Sequence, residues 1–98
     1  MPSHRFLSYD DLLILLAISA GANSALAAYD QIISDTVGDY VERASLYRHL
    51  HSLIKRGYLD ERYTLTEKGA TQLRHAASDW QRLAAIAKER VATLPAYP

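Results

Sequence analysis

The chain has 98 residues, 11 basic and 11 acidic side chains for a formal net charge of zero, and no cysteine. That length allows one domain with a real core but not a deep internal active-site cavity with a lid. The missing cysteines exclude disulfide staples and thiolate chemistry and favour a reducing compartment. A hydrophobic fraction of 49% is that of a globular chain and not of a disordered one. The longest apolar run, residues 12–22, is broken by Ser19 and falls short of the roughly 20 residues that span a bilayer. Asp10 and Asp11 precede that run, unlike the basic start of a secretory signal. The expected setting is therefore cytoplasmic, with no membrane partner.

In chain order, Ser8 with Asp11 resembles a capping box, and Asp10 and Asp11 both suit the positive end of a helix dipole. Leu12, Leu13, Leu15, Leu16 and Ile18 follow, a helix apolar nearly all round, as expected of one buried against several partners. Gly21, Asn23 and Ser24 mark a turn, with Asn23 or Ser24 as the next N-cap. A second helix over residues 25–36 is expected to bury Leu26, Tyr29, Ile32 and Ile33. Val37, Gly38 and Asp39 close it, with Asp39 as the following N-cap and Glu42 at the third helical position of a second capping box.

The third helix is the one around which the chain is organised. Leu46, Leu50, Leu53 and Ile54 fall at i, i+4, i+7 and i+8, a single apolar stripe. The opposite side is expected to carry Arg43, Arg48, Lys55 and Arg56, with Tyr47, His49 and His51 among them, and no acid occurs from Arg43 to Tyr58. Before residue 41 the only basic residue is Arg5, against five aspartates. Charge is thus sorted along the chain, and a binding face needs local potential because screening limits exposed charges to about 8–10 Å. Gly57 ends the helix. Two helices joined by a short glycine-containing turn, the second one basic, form the helix-turn-helix pattern. The third helix reads as one that lies in a DNA groove.

After Gly57 the period changes. Tyr58-Leu59 and Tyr63-Thr64-Leu65 are β-prone and separated by Asp60-Glu61-Arg62, which predicts a minimal hairpin. Thr66 caps a final helix from Glu67 to about Leu94, stopped by Pro95 and Pro98. Along it Ala70, Leu73, Ala77, Trp80, Ala84, Ala87, Val91 and Leu94 alternate spacings of three and four, widened by Leu83 and Ile86. That is a heptad seam. A helix so long cannot be covered by so small a domain, so the seam is expected to pack against a second copy. Leu73, Ala77, Trp80, Ala84, Ala87 and Val91 are the expected dimerisation residues. The predicted class is mainly α with a small β-hairpin. It is a winged helix-turn-helix over residues 1–66, followed by a long C-terminal dimerisation helix over residues 67–98 in one compact unit.

The stretches LLILLAI, ASLYRHLHSLIKRGYL and YTLTEKGATQL, with Trp80 beyond them, resemble PadR-like transcriptional regulators. MarR-like repressors share the Leu-x-x-Leu-x-x-x-Gly and Leu-Thr-x-x-Gly pieces. The resemblance spans roughly residues 12–80. It implies a homodimeric repressor whose two recognition helices enter successive major grooves of a pseudo-palindromic operator in double-stranded DNA. Family DNA contacts match Ser45, Tyr47 and Arg48, with Arg43 at the helix start. The hairpin tip is shorter than the usual wing of this family and carries two acids, which leaves only Arg62 there. The resemblance further implies a small aromatic effector near Trp80, a ring that packing at the dimer seam explains equally well.

Each candidate carries an ordinary alternative. Arginine's fork matches guanine or a phosphate bidentately, but Arg43 and Arg48 also suit a solvated helix face. Tyr47 is either a core ring or a phosphate ligand, and Ser45 either a local backbone bond or a DNA contact. Lys55 and Arg56 suit the negative end of the helix dipole, with phosphate contact by Lys55 as the second role. His49 and His51 are further candidate DNA contacts; two apart, they point to nearly opposite sides and cannot chelate one ion. Ser45 and His49 share a face, yet no acid is placed to orient the imidazole and no oxyanion loop follows, which argues against a hydrolase. His4 and His75 stand alone. The sequence therefore predicts neither enzyme, metal site nor cofactor. Its main rival reading is a winged helix that binds protein instead of DNA, suggested by the neutral total and the acidic tip.

Overall fold

The computed structural model describes residues 7–36 and 41–95. Ser8 starts the first helix, α1 (Tyr9–Ser19), through a complete capping box. Its hydroxyl accepts the Asp11 N–H at 3.0 Å, and the Asp11 carboxylate accepts the Ser8 N–H at 3.4 Å. Seven of its residues are buried, Asp11 among them, and α1 touches every other helix. The all-round apolar sequence is thus that of the central helix, as its pattern required. Gly21, at φ +113°, makes the turn beyond it.

The second helix, α2 (Ala25–Thr36), is capped by Ser24, whose hydroxyl accepts the Ala27 N–H at 3.1 Å. Its buried face differs from the expected one. Ala25, Ala28 and Ile32 are buried, Leu26 is 61% exposed, and Tyr29 and Ile33 are half-buried. Small side chains face the core because they let two helix axes approach closely, a preference that a count of hydrophobic bulk misses. The third helix, α3 (Arg43–Lys55), takes Glu42 as its N-cap, with no side-chain cap bond. Glu42 is thus not the third helical position of a capping box. Val37, Gly38 and Asp39, expected to form the turn and its cap, lie outside the described residues.

Leu46, Leu50 and Leu53 bury the inner face of α3. Gly57, at φ +82°, then closes it. The Gly57 N–H reaches the Ile54 carbonyl and the Tyr58 N–H the Leu53 carbonyl, at 3.0 and 2.9 Å, the paired bonds of a Schellman ending.

The expected hairpin does not form, and with it goes the winged architecture: among the described residues there is no strand. Residues 58–66 make a tight turn with one isolated antiparallel bridge, Leu59 to Leu65. The reason lies in Asp60. Its side chain accepts the N–H groups of Arg62 and Thr64, each at 2.9 Å, so it binds the turn backbone that a longer ladder would straighten. Tyr63 sits in the left-handed region at φ +59°, which breaks the extended run and costs on the order of 1–2 kcal/mol for a residue with a Cβ.

Thr66 joins this turn to the last helix, α4 (Glu67–Ala92). Its hydroxyl accepts the Gly69 N–H at 3.0 Å and donates to the Gly57 carbonyl at 2.6 Å. Only the first part of α4 meets the core, with Gly69 buried and Leu73 packed at the edge. Every residue from 77 to 95 is exposed. The overhang shows in the radius of gyration, 15.3 Å against about 13 Å for a compact chain of 100 residues. No helix among the described residues is long and apolar enough to cross a membrane.

A side chain at Gly69 would collide with the backbone carbonyl of Tyr58, with Leu65 close behind. Gly69→Ala must push α4 away from the turn, and we expect it to cost about 2–3 kcal/mol despite the better helix propensity of alanine. Thermal unfolding followed by circular dichroism should show a midpoint lowered by on the order of 10 °C. An unchanged or raised midpoint would mean the turn and α4 are not in this contact.

Candidate nucleic-acid interface

The inner face of α3 is spent on leucine, so its chemistry lies on the other sides. Exposed residues along it include Ala44, Tyr47, Arg48, His51 and Lys55, spaced i, i+3, i+4, i+7 and i+11, which forms one outward stripe. Tyr47 is 58% exposed and hence is not a core ring. Arg48 donates to the Ser45 hydroxyl at 3.2 Å, so Ser45, half-buried on the first turn, steadies the guanidinium. Arg43 lies over the Tyr29 ring, 5.6 Å from its centre, and lines a small cleft of about 200 Å³ with Leu26 and Tyr47. A larger open cleft of about 650 Å³ runs along the other side of Tyr47, walled by Arg48, His51, Ser52, Ile54, Lys55 and Tyr63. Arg62 is exposed on the turn, its backbone N–H held by Asp60.

His49 departs from this face. Its Nδ1 lies 2.7 Å from Asp11 Oδ1, and its Nε2 lies 3.6 Å from Asp10 Oδ2. The histidine thus points back at α1 and leaves the outward stripe. An acid does orient this imidazole, contrary to the sequence reading, because Asp11 is 38 positions away in the chain. The pair still makes no hydrolytic arrangement. Nε2 is turned toward Asp10 rather than Ser45, whose oxygen is engaged by Arg48.

Arg56 also leaves the outward side on which the sequence placed it: it is the second partner of Asp11, donating from Nη2 to Oδ2 at 2.9 Å. It also lies over the Tyr58 ring at 5.3 Å. Asp11 is 4% exposed, and such a carboxylate survives burial only when it is paired. Burial, the largest single influence, raises its pKa. The hydrogen bonds from Arg56 and His49, the charge of Arg56 and the Ser8 N–H together outweigh burial and hold the carboxyl below the ordinary aspartate value of 3.8. One buried acid therefore fixes the start of α1 against both the middle and the end of α3.

On α4, Ala77, Trp80, Ala84, Ala87 and Val91 are all exposed, while Leu73 is half-buried against the domain's own core. Trp80 tilts against Tyr9 with ring centres 6.0 Å apart. It lines neither cleft beside α3, nor a third of about 380 Å³ between Tyr63 and the end of α1. Ser52, Ile54 and Tyr63 line the larger cleft without standing out in the sequence as site residues. For Tyr63 the missing signal was its left-handed backbone, which a tyrosine does not advertise. No protein-family model matches the chain, and no curated protein or solved structure does either.

Asp11→Asn should destabilise the fold by about 2 kcal/mol at neutral pH. That is below the roughly 3–5 kcal/mol of breaking a fully buried pair, because the His49 and Arg56 side chains stay 26% and 29% exposed. A carboxylate whose folded pKa is depressed stabilises above its unfolded pKa, about 3.9, and loses that contribution as pH falls through the folded value. Urea unfolding should therefore show wild-type stability declining below about pH 4, and that decline reduced in Asp11→Asn. Parallel acid limbs in the two proteins would exclude Asp11 as the joint.

Proposed function

We propose that the protein is a sequence-specific DNA-binding transcriptional regulator, a repressor acting as a homodimer on a pseudo-palindromic operator. The observation that carries this reading is the outward stripe of α3. Tyr47, Arg48, His51 and Lys55 stand exposed side by side, and no acid shares their face. A neutral chain that places its cations in this way concentrates potential on a rod narrow enough for the major groove. Arg43 and Ser45 on the first turn and Arg48 on the second are the base or phosphate ligands, and His51 and Lys55 are backbone ligands. The motifs shared with PadR-like regulators support the same assignment, which operates without a wing.

Dimerisation is part of the proposal because α4 is unfinished in one copy. Trp80, Leu83, Ile86 and Val91 are 44%, 55%, 39% and 63% exposed. A second α4 covering them would remove this apolar surface from water at about 25 cal/mol per Å². It would also hold the two α3 rods at a fixed separation, and about 10 base pairs between half-site centres is the spacing that puts both on one side of a duplex.

In fluorescence anisotropy with a labelled duplex, affinity should fall steeply as salt rises, with a slope set by the phosphates neutralised. Arg48→Ala should lose about 1–3 kcal/mol if its guanidinium holds a base edge. A shallow slope, or an unchanged affinity in a folded Arg48→Ala protein, contradicts the assignment and favours a protein partner. Trp80→Asp combined with Val91→Asp should give a monomer by light scattering. A surviving dimer places the contact elsewhere.

A further inference from the structure

We infer that the cleft beside α3 is a seat for one phosphodiester of duplex DNA, with Tyr63 as a backbone ligand that the turn delivers in place of a wing. The inference rests on the proposed function and deepens it. Arg48, His51 and Lys55 line the cleft from α3, with Tyr47 at one side and Tyr63 at the other, and its wall contains no acid. Neither His51 nor Lys55 takes part in any of the ion pairs formed among the described residues. Three side chains that can donate protons, on successive turns of one helix, therefore line the same open space outside any of those ion pairs, and an anion is the chemistry they fit.

The second observation is the backbone at Tyr63. A tyrosine at φ +59° occupies a position where glycine or asparagine would be unstrained. Local strain of this kind persists where the surrounding structure fixes it. The fixing groups are visible: Asp60 accepts from the backbone on both sides of Tyr63, and the Tyr63 N–H donates to the Asp60 carbonyl at 3.0 Å. The ring rests half-buried against the core, so it is held rather than swinging. Packing explains the ring but not the phenol. Its hydroxyl has no hydrogen-bond partner among the described residues, and a neutral O–H on a residue that lines one cleft with Arg48, His51 and Lys55 suits a phosphate oxygen. A strand entering the major groove beside Arg48 would pass over this cleft, so the same DNA would touch the first turns of α3 with its bases and the last turn with its backbone.

The test uses the full chain and anisotropy titrations on one duplex across a salt series. Tyr63→Phe keeps the ring and its packing, and should weaken binding about tenfold, the scale of one hydrogen bond to a charged group, with the salt slope unchanged. Lys55→Gln should weaken binding and lower the slope by about one. Lys88→Gln, exposed on α4, should change neither. In nuclear magnetic resonance, Tyr63 ring signals of the unmutated protein should shift on adding duplex. If the duplex binds but Tyr63→Phe and Lys55→Gln bind as wild type, the seat is wrong while the regulator reading stands. If no duplex binds even at low salt, both fall. If pyrophosphate shifts the Tyr63 signals and duplex does not, the cleft is a small-anion site and the inference is overturned.

Discussion

The carboxylate of Asp11 is the constraint on which the rest of the structure depends. It caps α1 through Ser8, and it takes Arg56 and His49 from α3 onto its two oxygens. Leucines alone would bury α3 against α1 without fixing its rotation, because apolar contact is non-directional. Two directed, charge-assisted bonds to a buried acid fix that rotation. They decide which residues of α3 face inward and which face solvent, so the outward stripe of Tyr47, Arg48, His51 and Lys55 follows from a bond made on the opposite side. His49 is the cost of this arrangement: it is spent on the joint and not on the face.

The turn after α3 is the second consequence. Gly57 reverses the chain at the point where Arg56 is anchored, and Thr66 ties the turn to the start of α4. Lys68 donates to the Arg56 carbonyl at 3.0 Å, strengthening the same corner. The body of the domain is therefore three helices and a corner, and α4 leaves it as a bare rod. Under the proposed function that rod is the spacer between two copies, and the corner sets the angle at which it departs.

Helix extents and most caps were legible in the sequence because they are local: Ser8, Thr66 and Gly57 act within a few positions of where they stand. The all-round apolar α1 was legible as a central helix for the same reason, since its period needs no partner to be read. The face of α2 was not, because Ala25 and Ala28 are chosen for closeness and add little hydrophobic weight. The wing was misread because β-prone residues at 58–59 and 63–65 look like strands until Asp60 is seen to take two of the turn's N–H groups. The Asp11 joint spans 38 and 45 positions, and no single-helix period can report which acid meets which histidine. At the candidate site the outward position of Arg48 and His51 followed from the leucine stripe opposite, whereas Tyr47, beside that stripe, read equally as a core ring. Tyr63 depended on a backbone angle that its side chain does not betray.

The central claim is that two copies of the α3 stripe, spaced by α4, read one side of a duplex. Selection of bound duplexes from a random pool, followed by sequencing, tests it most directly. The account predicts enrichment of an inverted repeat whose half-site centres lie about 10 base pairs apart. A pool that stays random, or that converges on a single asymmetric site, would contradict it.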